Sequence, residues 1–124
     1  KTLHDKGIRI SFGSDAPCTR PDPIVWMDKA VNNGDQSVSV RDALRMCTYN
    51  GYYTTFDEKE RGSLEEGKIA DMAILSGDPY SVPKEAIKEL KVEQLLLGGK
   101  PYESCRSSVV PAIRSGLTGG TKAY

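Results

Sequence analysis

The run from Ile8 to Phe12 constrains this chain more than any other stretch. It is apolar and rich in β-formers, it stops abruptly at Gly13-Ser14, and a carboxylate, Asp15, follows at once. A short apolar run closed by turn residues reads as a buried strand. Ala16-Pro17 and a loop punctuated by Pro21 and Pro23 come next, and proline rings leave such a loop little freedom. The chain therefore presents one carboxylate at the mouth of a strand, on a segment that cannot wander.

The flanking elements follow from their own signals. Lys1 to Lys6 reads as the tail of a helix with Gly7 as its left-handed stop. A chain that opens inside a helix reads as a piece of something longer. Asp22-Pro23 supplies an N-cap and a first-turn proline, so a helix is expected over 23–32, with Ile24, Met27, Ala30 and Val31 on its apolar face. Ser39 and Asp42 resemble a capping box ahead of a second helix whose stripe is Val40, Ala43, Leu44 and Cys47. Asn50-Gly51 is expected to interrupt that helix, with a short further turn from Tyr52 to Phe56. Tyr49, Tyr52, Tyr53 and Phe56 read as packing residues around the break.

The character changes near residue 57. Asp57 to Gly62 is a charged loop expected to be solvated, Gly62-Ser63-Leu64 begins a new element, and Gly67 suits a positive-φ turn position. Strands are expected at 69–75 and 92–97, one or two helical turns between Lys84 and Leu90, and a hairpin at Gly98-Gly99 whose return strand is 100–103. The glycine-bearing tail from Ser115 is expected to fray. The order is a β/α unit followed by a small separate sheet, an α/β chain.

Charge and cysteine count exclude several function classes. Among 124 residues, Lys plus Arg equals Asp plus Glu at 17 each, so no global field draws the chain to nucleic acid or to an acidic membrane surface. No apolar run approaches the ~20 residues of a membrane span. Cys18, Cys47 and Cys105 are odd in number and widely spaced, a pattern of reduced thiols in a cytosolic protein. His4 is the lone histidine and reads as a solvated side chain, since an H-x-H or H-E-x-x-H site needs two. Gly98-Gly99-Lys100 lacks the rest of a phosphate-loop pattern, and the hydroxyls of Ser11, Ser14, Thr19 and Ser39 have no neighbouring histidine in sequence to act as base.

Asp15 is the one candidate for chemistry. Side chains at the C-terminal end of a parallel strand face the crevice where α/β folds place their sites. A carboxylate there ligates a metal or takes a proton from water. Ser-Asp-Ala-Pro is equally ordinary turn chemistry. Both readings of Asp15 stand on this stretch alone.

Four segments in order, "GIRISFGSDAP", "SVSVRDALRMCTYNGYYTTF", "GSLEEGKIADMAIL" and "VEQLLLGGKPY", resemble the C-terminal end of metal-dependent amidohydrolases, in the branch that includes N-substituted formamide deformylases. The resemblance covers about residues 1–103. It implies the C-terminal fragment of a (β/α)8 barrel over 1–56, with residues 8–12 as the eighth strand. Part of an appended β-sandwich would follow over 57–106, with a tail over 107–124. It implies hydrolysis of a small-molecule C–N bond that is not a peptide bond, with a divalent metal of the Zn2+ type. Asp15 matches the strand-eight aspartate, which binds or faces the metal and shuttles a proton. The family's histidine ligands have no counterpart here, so the isolated chain is expected to be inactive, to hold no metal tightly and to self-associate through unpaired strand edges. The competing reading is a non-catalytic interaction module derived from an amidohydrolase; a small nucleotide-binding protein lacks any glycine fingerprint.

Overall fold

The computed structural model describes residues 1–102; the readings made for Glu103, Cys105 and the tail lie outside the described residues. The architecture is mixed α/β with one small antiparallel sheet. In chain order it comprises α1 (Thr2–Asp5), α2 (Pro23–Val31), a 3-10 turn (Gly34–Gln36), α3 (Val40–Cys47), α4 (Tyr49–Thr55), β1 (Met72–Leu75), a 3-10 helix (Lys84–Glu89), β2 (Val92–Leu97) and β3 (Lys100–Pro101).

The caps behave as their sequences dictate. Asp22 accepts from the Val25 N–H at 3.4 Å with Pro23 in the first turn of α2. The Ser39 hydroxyl accepts from the Asp42 N–H at 3.1 Å and donates to the Asp42 carboxylate at 2.6 Å. Asp42 thus accepts from the N-cap hydroxyl itself, a variant of the capping box, whose reciprocal bond goes to the N-cap N–H. Gly7 takes φ +78° just beyond α1.

The apolar stripes meet where their spacing aims them. Met27 and Val31 of α2, Ala43 of α3, and Ile87 and Leu90 from the 3-10 helix and its end form one buried cluster. Asn32 extends the junction by donating to the Lys84 carbonyl at 2.9 Å. The packing therefore joins residues on both sides of position 57.

The strand expected at 8–12 does not form a ladder. The segment has no strand partner among the described residues, and the helices satisfy part of its backbone instead. The Phe12 N–H donates to the Met46 carbonyl at 3.2 Å, and the Asn50 amide donates to the Ile10 carbonyl at 2.8 Å. Asn50-Gly51 does not interrupt a helix either: α4 runs through both, and the break falls at Thr48, at φ −125° and ψ −96°. Asn50 is drawn inward by its hydrogen bond rather than expelled into a turn. Phe56, expected to pack, is 87 % exposed and left-handed at φ +65°, because α4 ends there.

The expected solvated loop is partly folded in. Arg61 pairs with Asp71, and Asp71 also accepts from the Gly98 N–H at 2.8 Å. Lys68 donates to the Glu58 carbonyl at 2.8 Å. Gly62 has φ +87°, and a Cβ there would stand 2.9 Å from the Tyr52 ring and 3.0 Å from the Tyr49 Cα. No element starts at 62–64, and the first strand begins at Met72 rather than Ile69, because Ile69 to Asp71 turn against Glu60 and the hairpin.

The sheet has the order β1-β2-β3. Met72 faces Leu96, Ala73 faces Leu95 and Ile74 faces Gln94, with a bulge at Leu75. The hairpin at Gly98-Gly99 forms as its residues require, with positive φ at both. Its return strand is Lys100–Pro101, and the Tyr102 N–H just beyond it still donates to the Leu95 carbonyl at 2.8 Å.

Candidate active site

Asp15 stands where the extended segment turns into the Pro-rich loop. Its backbone is left-handed at φ +49°, a conformation that aspartate tolerates better than most residues. The turn is closed locally: the Cys18 N–H donates to the Asp15 carbonyl at 2.8 Å, the Ala16 N–H donates to the Ser14 hydroxyl at 3.2 Å, and the Thr19 hydroxyl donates to the Ser14 carbonyl. These bonds engage backbone groups and neighbouring hydroxyls. The Asp15 carboxylate takes no hydrogen bond among the described residues and is exposed. It is held by its main chain and is free at its tip.

An open groove of about 380 Å³ flanks the segment ahead of Asp15, with apolar walls from Ile10, Phe12, Trp26, Ala30, Val38 and Met46. Phe12 and Trp26 lie with ring centroids 6.4 Å apart, which ties the segment to α2. A smaller polar cleft of about 170 Å³ is lined by His4, Arg9, Asp42, Arg45 and Asn50, among others. His4 is not simply solvated, as its sequence setting suggests: its Nε2 lies 3.4 Å from Asp42. Arg9 stacks over Tyr53 at 3.8 Å from the ring centroid, and Arg45 lies 5.0 Å from the centre of the Tyr49 ring. The aromatic residues around α4 therefore receive cations more than they fill a core.

The donors expected of a metal centre do not converge. Among the described residues, no three His, Cys, Asp or Glu side chains come together in a way that could hold an ion. A zinc site with an open position takes about three protein ligands, and Asp15 is a single donor. The residues described do not fit a complete metal site, whatever else a larger assembly adds. Cys47 is unsuited as well: burial pushes its thiol up to about 11, and Cys18 is exposed.

The sequence singles out Asp15 as a candidate but gives no sign of the Asn50–Ile10 hydrogen bond or of the pairing of His4 with Asp42. Asn50 is 8 % exposed. Its signal was the dipeptide Asn-Gly, which is indistinguishable locally from a turn. His4 and Asp42 are far apart in sequence, and no spacing rule joins them.

Comparison with known proteins gives these positions a context. A family model described as "Amidohydrolase family" matches residues 1–102. The chain is 32 % identical over 108 residues to an N-substituted formamide deformylase of Arthrobacter pascens, covering 80 % of this chain and 20 % of that protein. It is 30 % identical over 112 residues to YtcJ of Bacillus subtilis, named for its likeness to amidohydrolases, covering 81 % of this chain and 21 % of that protein. The crystal structure of an amidohydrolase from Thermotoga maritima superposes with a TM-score of 0.66 at 26 % identity, covering 82 % of this chain and 24 % of that one. The chain spans about a fifth of the length of the curated relatives it matches. No described helix is long and apolar enough to cross a membrane. With the family model matched over all the described residues, the chain belongs to the amidohydrolase family.

Proposed function

We propose that this chain is the C-terminal portion of a hydrolase that cleaves amide- or formamide-like C–N bonds of a small molecule, and that Asp15 is its acid–base residue. In the whole protein, residues 1–56 supply the last strand and helices of a (β/α)8 barrel, and residues 57–102 supply part of a β-sandwich. The reading rests on the family and on relatives named as a formamide deformylase and as deaminases, two kinds of C–N cleavage. The single observation that carries it is the exposed Asp15 carboxylate, unpartnered among the described residues, on a tightly bonded turn. Such a group accepts a proton from the attacking water as the new C–O bond forms, and returns it to nitrogen as the C–N bond breaks. A divalent metal of the Zn2+ type belongs to this reading, with Asp15 as one donor and the others outside this chain. The working compartment we assign is the cytoplasm, on the odd number and wide spacing of Cys18, Cys47 and Cys105 in the sequence.

The test is Asp15→Asn in the protein as its whole gene encodes it. The variant keeps size and loses the base, so kcat is expected to fall by ~10²–10⁴. Activity within about threefold of the parent removes Asp15 from the mechanism. Equal loss with parent metal content favours the proton shuttle over the ligand role.

A further inference from the structure

The buried amide of Asn50 is the group that the reading above leaves without a task. It sits in the second residue of α4, immediately after the backbone break at Thr48. Beyond that break the Asn50 side chain meets the segment 8–12 and is 8 % exposed. Its Nδ2 donates to the Ile10 carbonyl at 2.8 Å across 40 residues of sequence. Two residues further along, the Phe12 N–H donates to the Met46 carbonyl of α3. The segment that delivers Asp15 is thus gripped from the helical side at positions 10 and 12. Beyond Phe12 come Gly13 and then the closed turn at Ser14 to Thr19. Ile10 and Asp15 are thus linked by a short stretch of main chain whose far end is closed by hydrogen bonds.

We propose that Asn50 is a positioning residue for the reaction: it fixes the Ile10 carbonyl and thereby the placement of the Asp15 carboxylate. The inference rests on the acid–base reading of Asp15. It assigns Asn50 no contact with substrate. An uncharged amide suits the task, because it donates without adding a charge beside Arg9 and Arg45 in the same cleft. Small errors in placing a reacting group lower the rate of the chemical step far more than they weaken substrate binding.

The experiment is a double-mutant cycle in the whole-gene protein, with Asn50→Ala and Asp15→Asn singly and together. Asn50→Ala is expected to lower kcat by roughly 10–100-fold with KM within about threefold. In the Asp15→Asn background it is expected to remove little more, since it acts through that carboxylate. Amide hydrogen exchange gives a readout independent of turnover: residues 10–18 are expected to exchange roughly tenfold faster in Asn50→Ala, with the core of α2 unchanged. Asn50→Gln, which keeps the donor on a longer stem, covers the case in which the alanine variant does not fold. It is expected to lose about threefold or more in kcat with KM unchanged, and parent kcat for it overturns the proposal. Parent-like activity of Asp15→Asn overturns both the acid–base reading and this one. With Asp15→Asn inactive, parent-like Asn50→Ala, or an equal loss in both backgrounds, overturns the positioning role alone.

Discussion

The helical cluster and the three-stranded sheet solve the same burial problem with opposite success. Around α2 and α3, apolar side chains from three elements close on one another, and Met27, Val31, Ala43 and Ile87 are almost fully buried. The sheet hides little. Ile74 is 44 % exposed on one face, and Leu95 and Leu97 are 40 % and 53 % exposed on the other. Helices with one stripe each bury it by meeting in pairs. A sheet apolar on both faces needs a layer on each side, and three strands cannot provide one for themselves. The helical half buries its apolar stripes among the described residues, while the sheet leaves apolar side chains exposed on both faces.

The largest expected effect tests the first half of that contrast. Ile87→Ala removes a fully buried side chain that joins the 3-10 helix to α2, and is expected to destabilise by about 2–5 kcal/mol in denaturant unfolding. A loss below ~0.5 kcal/mol, the range of surface substitutions, breaks the comparison, because the cluster would then not be the stabilising core. The second prediction concerns the sheet. Expressed alone, the 124-residue chain is expected to self-associate, through its bare sheet faces and through unpaired edges such as that of residues 8–12. Ile74→Lys with Leu97→Lys is expected to shift sedimentation toward monomer while changing the stability of the helical half by no more than ~0.5 kcal/mol. A strictly monomeric, cooperatively folding parent chain at high concentration shows that the sheet needs no cover. The smallest perturbation sharpens the contrast without altering a residue. With its thiol at about 11, Cys47 is expected to hold roughly 0.1 % thiolate at pH 8. Alkylation should therefore reach exposed Cys18 first and Cys47 only as pH rises toward that value. Equal rates at pH 8 would mean that the edge of the helical core is open.

How much of this was legible in the sequence depends on the range of the signal. Asp22-Pro23, Ser39 with Asp42, and Gly98-Gly99 act within four residues, and each fixed its cap or turn as expected. The apolar stripes of α2 and α3 were legible for the same reason. The segment 8–12 forms no ladder among the described residues, and two of its hydrogen bonds go to Met46 and Asn50, over thirty residues away, which no local signal announces. The sequence likewise pointed to Asp15, a local turn residue. It could not point to Asn50, whose meaning comes from what the break at Thr48 brings it against.

Gly62 carries a consequence for how this protein tolerates change. The loop between α4 and the sheet is the part of the chain richest in interchangeable charge, and exposed positions such as Lys59 and Glu66 have wide latitude. At 62 the latitude vanishes, since any side chain must occupy space already held by the Tyr49 backbone and the Tyr52 ring, on a backbone that disfavours one. In a randomised library of residues 57–71, selection for folded protein would scramble exposed charges such as Lys59 and Glu66, hold Arg61, Lys68 and Asp71 more closely, and leave position 62 unvaried. The loop's diversity would be anchored to a hydrogen atom.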